Sequence, residues 1–326
     1  MNEVRAVLCG TGWRARFYIR IASAVPSLLQ IVSVYTRSEE RRVQLAAEGL
    51  KAVTDIEEAL GAIHDAVIVA SGKEGFLPLL EYLEKRGERI ITETSFLTLN
   101  DSELSRAERI RGWTLEQYLH TPFYSSVMTA VKRIGRISYA YISGLHNHHA
   151  ASIMRAIFPD KETAEVKRLL DINSVCLKTG DRSGLVRSGE TEEYRRKITS
   201  VTFKSGEVFI CDFSSNQYHS SIIPGRIEIR GERGVVTEKG VTFIDKDGYP
   251  VSAEFVFHRD EGKSSRYPVL SHVTLSDTTV FTNDFYPAVL SDDEIAIAEM
   301  LEEYREGRLL YSISQATADA AVGKLF

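Results

Sequence analysis

Cysteine is scarce in this chain. Its three residues, Cys9, Cys176 and Cys211, stand far apart among 326 and show no C-x-x-C spacing, which gives no thiolate metal site and suits reduced thiols in the cytoplasm. Cys9, closing an apolar run, reads as packing. Long apolar runs are also missing: none approaches the ~20 residues that a membrane span requires, and the first residues are expected to go directly into a strand. Nor is there an excess of positive charge. A net charge of −5 and a pI near 6.0 leave no sequence-wide basic field for nucleic acid, and Arg195-Arg196-Lys197 reads as solvated loop charge. Internal repeats and low-complexity tracts are absent. What remains is a soluble, cytoplasmic chain with 43% hydrophobic residues, enough for one large core or two.

What the chain does have starts at once. An apolar run from Val4 to Cys9 leads into Gly10-Thr11-Gly12-Trp13-Arg14-Ala15 and then into a helical pattern. This is the strand, glycine turn and helix of a dinucleotide-binding unit in its G-x-G-x-x-A form. Gly10 permits the tight turn, and Gly12 lets the backbone approach a pyrophosphate. The small Ala15 lets the helix pack near the strand with its first N–H groups toward the phosphates. A second apolar strand, Ile31 to Tyr35, arrives where the ribose-binding residue is expected.

Up to about residue 120 short apolar strands alternate with amphipathic helices, predicting parallel strands joined by right-handed crossovers. Ala52-Val53, Asp65 to Ala70, Arg89 to Thr92 and Thr114 to Tyr118 supply the further strands. Asp55 with Glu58 reads as a capping box, Phe76, Leu79, Leu80 and Leu83 mark a helix face that Gly87 ends, and Asn100-Asp101-Ser102 starts another helix. A doubly wound sheet of this kind holds its ligand beyond the carboxyl ends of the strands. After Pro122 the pattern changes. Helices from about Ser125 to Lys132 and from about His146 to Phe158 flank a strand from Ile137 to Ile142. From Asn173 to about Val256 the chain reads as antiparallel strands with turns at Ser205-Gly206, Gly231 to Gly234 and Asp247-Gly248. Gly180 to Lys197, rich in Gly, Ser and charge, reads as a mobile loop, and Asp292 to Arg305 and Ser314 to Val322 read as helices. The expected organisation is a dinucleotide-binding domain over 1–120 and an α+β domain over 121–326, with the last helix, about 314–326, packing back on the first domain.

Taken in order, several segments resemble the Gfo/Idh/MocA family of NAD(P)-dependent oxidoreductases over nearly the whole length. They are the glycine turn, Asp65-Ala66-Val67-Ile68-Val69-Ala70, Glu93-Thr94-Ser95 in place of Glu-Lys-Pro, Glu116-Gln117-Tyr118 with Pro122, Gln217-Tyr218, and Arg230-Gly231-Glu232-Arg233-Gly234. The resemblance implies an α/β fold: an N-terminal Rossmann doubly wound parallel sheet and a C-terminal α+β domain on a large, mostly antiparallel sheet. That second sheet would make homodimer or homotetramer contacts and one wall of the substrate site. The implied activity is hydride transfer between a nicotinamide and a small polar, possibly sugar-like, carbonyl, imine or hydroxyl substrate.

The resemblance also shows what is missing. Family dehydrogenases use the lysine of Glu-Lys-Pro, with an aspartate and a histidine four residues later on a helix; here Thr94 stands at the lysine, Leu145 at the aspartate and His149 at the histidine. A threonine hydroxyl orients a substrate oxygen, but it carries no charge and is no base near neutral pH. His149 is then the proton donor or acceptor, with Thr94, Tyr118 and His146 positioning, and reduction is favoured over alcohol oxidation. On a helix His146 and His149 share a face while His148 points elsewhere. No carboxylate or cysteine stands near them in sequence, so no metal is expected.

The remaining site residues concern the cofactor. Tyr118 is either a hydroxyl donor in the cleft or a packed aromatic with a solvated tip, and Glu93 either binds substrate or nicotinamide ribose or caps the turn after it. Gly10, Thr11, Gly12, Trp13, Arg14 and Ser71 complete the cofactor set. Thr36, Arg37 and Ser38 offer two hydroxyls and a guanidinium where NAD enzymes place an acid, which favours NADP over NAD. A second reading keeps nucleotide binding but not chemistry: a sensor or structural subunit that has lost the lysine and aspartate.

Overall fold

The computed structural model describes residues 3–72, 74–181, 184–263 and 268–326. Six short strands, β1 (Val4–Cys9), β2 (Leu29–Tyr35), β3 (Ala52–Val53), β4 (Ala66–Val69), β5 (Ile90–Thr92) and β6 (Trp113–Thr114), form one sheet in the order β3-β2-β1-β4-β5-β6. Every pairing in it is parallel. A parallel sheet covered on both faces demands near-continuous apolar strands, and all four residues of β4 and all but Arg5 of β1 are buried. The order reverses at β1, so the switch point lies beyond the carboxyl ends of β1 and β4.

Between these strands run α1 (Ala15–Ala24), α2 (Glu39–Ala47), α3 (Ile56–Leu60), α4 (Phe76–Lys85) and α5 (Asp101–Ala107). Their starts are set by local chemistry. Ser38 caps α2, Asn100 and Glu103 make a reciprocal capping box on α5, and Asp55 caps α3 through the Glu57 N–H at 2.9 Å rather than through a box with Glu58. The buried stripe of α4 is Phe76, Leu77, Leu80 and Leu83; Leu79 is turned out to line a cleft. The expected strand Thr114 to Tyr118 stops at Thr114. β5 is three residues long and pairs with β6 only at Trp113 and Thr114, so the chain turns into a 3-10 segment, Gln117–His120, and Tyr118 sits in that turn.

The rest of the chain comprises α6 (Pro122–Val131), β7 (Ile137–Ser143), α7 (Asn147–Ile157), β8 (Thr163–Leu177), β9 (Gly180–Asp181), β10 (Gly184–Leu185), β11 (Thr191–Phe203), β12 (Val208–Ser214), β13 (Arg226–Gly231), β14 (Gly234–Thr237), β15 (Gly240–Ile244), β16 (Pro250–Asp260), β17 (Val269–Leu275), β18 (Thr278–Thr282), α8 (Asp292–Arg305) and α9 (Ile313–Gly323). Ten strands form a second sheet in the order β18-β17-β16-β15-β14-β13-β7-β12-β11-β8. It is mostly antiparallel; β7 and β12 run parallel. One face buries Ala140, Ile142, Val201, Phe209, Cys211, Ile227 and Ile229.

The segment 180–197, expected to be a loop, is instead a small β9–β10 hairpin followed by most of the first half of β11; residues 182 and 183 lie outside the described residues. Arg195 and Arg196 are strand residues paired with Asp171 and Asp212. The chain divides into two compact units, residues 1–122, 257–272 and 282–321 in one and 123–256, 273–281 and 322–326 in the other. In the first, Ile313, Ala316 and Ala320 of α9 join the core with Leu80, Phe96 and Leu104. Among the described residues no helix is long and apolar enough to cross a membrane.

Candidate functional site

At the switch point of the first unit a cleft of about 680 Å³ opens beyond the carboxyl ends of β1, β2 and β4. Its floor is the glycine turn. Gly10 has φ +128°, and a Cβ there would lie 2.4 Å from the Ala70 carbonyl oxygen, so only glycine lets the turn after β1 pass the end of β4. At Gly12 a Cβ would meet nothing within 4 Å. Its backbone therefore faces open cleft, as an approaching pyrophosphate requires.

Gly10, Thr11, Gly12, Thr36, Arg37, Ser38 and Ser71 all line this one cleft. Thr36 accepts the Ser38 N–H at 3.2 Å, and Ser38 accepts the Arg41 N–H at 3.2 Å. Both hydroxyls use a lone pair internally and keep their hydrogens to donate. The Ser71 hydroxyl is buried and has no hydrogen-bond partner among the described residues. Arg37 makes no ion pair among them either, whereas Arg42 pairs with Glu39 and Arg41 bonds Gln44. An orphaned hydroxyl, a lone guanidinium and an open glycine backbone fit the phosphates and ribose of a dinucleotide.

Three other expected cofactor residues lie elsewhere in the unit. Trp13 is 59% exposed and packs edge-on against Phe17. Arg14 Nε donates to Glu93 Oε2 at 2.7 Å, and the Tyr18 hydroxyl donates to Glu93 Oε1. Burial opposes the Arg14 charge, but Glu93, Tyr18 and Asp293 together outweigh it and hold the guanidinium above its ordinary range. Burial and the same carboxylate push the Tyr18 phenol well up, so it stays a donor. Glu93 is thus the buried anchor of Arg14, which precedes α1, and of Tyr18 within it. Tyr18 carries little sequence signal as a site residue; its one clue is its place four residues after Arg14, on the same helix face.

The four expected catalytic residues divide between the units. In the first, Thr94 precedes the 3-10 turn Ser95–Thr98 at the end of β5 and is partly buried, and Tyr118 is partly buried in its own 3-10 turn. In the second, His146 is the residue before α7 and has an extended backbone, its N–H donating to the Tyr218 hydroxyl at 3.0 Å and its ring 4.8 Å from that of Phe213. His149 meets His148, their ring centroids 3.9 Å apart. The expected pairing of His146 and His149 on one face, with His148 elsewhere, is corrected by this contact. His146 is not helical, and Asn147 takes φ +39°, so helical spacing does not run through the cluster. Leu145, at the position of the family aspartate, is buried with 2% exposure.

No family model matches the chain, and no curated protein matches it by sequence. Solved structures do match. An oxidoreductase from Agrobacterium radiobacter, in complex with NAD+, L-tartaric acid and magnesium, is 15% identical with a TM-score of 0.67 over 99% of this chain and 95% of that one. A levoglucosan dehydrogenase in its apo form is 14% identical with a TM-score of 0.67 over 100% and 96%. GenD2 from gentamicin A biosynthesis, in complex with NAD, is 13% identical with a TM-score of 0.63 over 100% and 93%. The likeness is one of fold along the full length.

Proposed function

We propose that this chain is an NAD(P)-dependent oxidoreductase of the Gfo/Idh/MocA type, preferring NADP, that reduces a carbonyl or imine of a small polar, sugar-like molecule. The observation that carries the reading is the cleft at the switch point, where a lone guanidinium and an orphaned hydroxyl stand over an open glycine backbone. The fold neighbours support it, since two were crystallised with NAD and one is a levoglucosan dehydrogenase.

The chemistry a nicotinamide dinucleotide would supply in that cleft is hydride transfer. The Gly12 backbone would face its pyrophosphate, Ser71 would donate into the cleft, and Arg37 with Thr36 and Ser38 would hold the 2′-phosphate. Glu93 acts as a counter-ion rather than a ribose ligand, because both of its oxygens already accept from Arg14 and Tyr18. On the first unit Thr94 and Tyr118 are the hydroxyls suited to orienting a substrate oxygen; on the second, His146 braces the start of α7 and His149 is the group whose chemistry suits proton donation. Thr94 is what favours reduction: reduction requires a proton donor, and no strong base replaces the lysine.

Calorimetric titration of the purified chain with NADPH and NADH is the direct test, with NADPH expected several-fold tighter. Equal affinities would remove the NADP preference. A following panel of sugars, keto compounds and imines is expected to give turnover that His149→Ala lowers ~10²-fold or more with cofactor affinity unchanged. Tight cofactor binding without turnover on any of them, with His149→Ala indistinguishable from the parent, would favour the sensor or structural subunit. The observation on that side is the pair of losses at Thr94 and Leu145.

A further inference from the structure

In the second unit a lysine stands on the covered face of the large sheet with no anion to meet it. Lys197 of β11 lies directly opposite Phe213 of β12 and Asp171 of β8. Residues opposite one another share a face, and two and four residues on along β11 the same face buries Thr199 and Val201. The nearby partners are taken. Arg195 donates to both oxygens of Asp171 at 2.6 and 2.7 Å, and Arg168 gives its two Nη groups to the backbone oxygens of Leu325 and Phe326. Lys161, Lys178 and Lys204 of the same unit each pair with a carboxylate, whereas Lys197 makes neither ion pair nor hydrogen bond among the described residues. Burial, and then the charges of Arg168 and Arg195, make its ammonium easier to deprotonate than an ordinary lysine, with Asp171 opposing them. A bound anion would relieve that repulsion.

The neighbours of Lys197 indicate what kind of anion fits. The Phe213 ring is partly buried, and its centroid lies 4.8 Å from that of His146 and 5.6 Å from that of Tyr218, which is 45% exposed. Aromatic surface beside an open charged donor suits a molecule with both a carbon skeleton and an acidic group; a bare ion would leave the rings unused. We propose that the substrate carries an oxyanion, a carboxylate or a phosphate, and that Lys197 is the specificity-determining residue that receives it while the skeleton lies along Phe213 toward His146. This rests on the oxidoreductase reading of the chain and adds the class of its substrate. Neutral sugars are then poor ligands.

The test reads binding and needs no turnover. The purified chain is titrated calorimetrically with NADPH, and then, with and without NADPH, with D-glucuronate, glucose-6-phosphate, D-glucose and inorganic phosphate. The parent is expected to hold glucuronate, glucose-6-phosphate or both ~10-fold or more tightly than glucose, as one charge-assisted hydrogen bond provides. Which of the two is preferred tells carboxylate from phosphate. Lys197→Met, of similar length without the charge, is expected to bring the acidic sugars down to the level of glucose with NADPH held as before, and Lys197→Arg to keep the preference. Circular dichroism and thermal melting confirm that both variants fold. A parent that holds the three sugars equally, or none of them, overturns the inference while its NADPH titration still decides the cofactor reading. A Lys197→Met variant with the parent's preference overturns it too, as does inorganic phosphate bound as tightly as the preferred sugar. A parent that binds neither sugars nor NADPH overturns the inference and the reading together.

Discussion

At the scale of single residues, the first unit concentrates its unusual electrostatics on α8 and the turn beside it. Glu299 lines a second cavity of about 760 Å³ with Asp284 and Glu303. Burial, with those two like charges adding to it, pushes the Glu299 carboxyl up to about 8. His120 lies 3.8 Å from Glu299 and 4.0 Å from Glu303, but burial lowers its own tendency to take a proton despite the charges of Glu303 and Glu116. An unfolded chain gives Glu299 an ordinary carboxyl, so between roughly pH 4.5 and 8 the folded state holds a proton that the unfolded state has released. Stability from this group is therefore greatest at the acid end of the window and declines as pH rises, by at most about 1.4 kcal/mol per pH unit. Glu299→Gln is expected to be more stable than the parent at pH 8, with the gap closing toward pH 5. Thermal melts across that range check it, and parallel profiles would refute it. The sequence shows only Glu299 and Glu303 four residues apart on α8; Asp284 and His120 come from other segments, so no pattern announces the cluster. The histidine cluster was legible as a cluster and not as a geometry: one extended residue, His146, and one left-handed residue, Asn147, are enough to bring His148 rather than His146 against His149.

At the scale of elements, the legible parts are those whose patterns meet only one environment. β1 and β4 are apolar because both of their faces are covered, and the glycine turn between β1 and α1 has one backbone solution, imposed by the Ala70 carbonyl. The segment 180–197 was not legible for the opposite reason. The outer parts of β8 and β11 pair with each other over Ile172 to Leu177 and Thr191 to Arg196, whereas β12 reaches only as far as Arg196. In this ribbon the alternation runs only between exposed and partly buried residues, none of them fully buried, so polar and charged residues serve as strand and read as loop. Capping is a stronger local signal. Ser291 and Glu294 form a reciprocal box at the start of α8, and Glu294, fully buried, also pairs with Arg20 of α1. Ser291→Ala removes the acceptor for the Glu294 N–H and one donor to the Glu294 carboxylate. It is expected to cost about 1 kcal/mol of stability, within the usual span for such caps. Urea titration measures it; a variant as stable as the parent would show that the Arg20 pair holds the helix start unaided.

At the scale of the whole molecule, the parallel sheet followed from alternation and the antiparallel character of the second from its turns, while the first part of β8 and the strands β17 and β18 were not legible; 257–272 and 282–321 return to the first unit after a long excursion. The second sheet poses a further problem. Its far face carries Tyr139, Tyr141, Ile198 and Ile210, all only partly buried, with Leu170 and Ile172 beyond them on β8. In its middle Asp212 is 4% exposed, gripped by both Arg196 nitrogens at 2.9 and 2.6 Å and by the Tyr141 hydroxyl at 2.7 Å. Burial works against the Asp212 charge, and the bonds from Arg196 and Tyr141 outweigh it and hold the carboxyl below its usual range. A charge so fully satisfied can be covered without leaving an unpaired ion behind, which removes the chief penalty of burying that face. A sheet of this extent with a half-apolar open face is expected to pair with a second copy of itself through an isologous contact. Light scattering at micromolar concentration is expected to report a dimer or tetramer, and Ile198→Asp with Ile210→Asp, two charges beside Asp212 on the same face, is expected to give a folded monomer. A parent that is already monomeric at that concentration, or a doubly substituted chain that assembles as before, would place the contact elsewhere or nowhere.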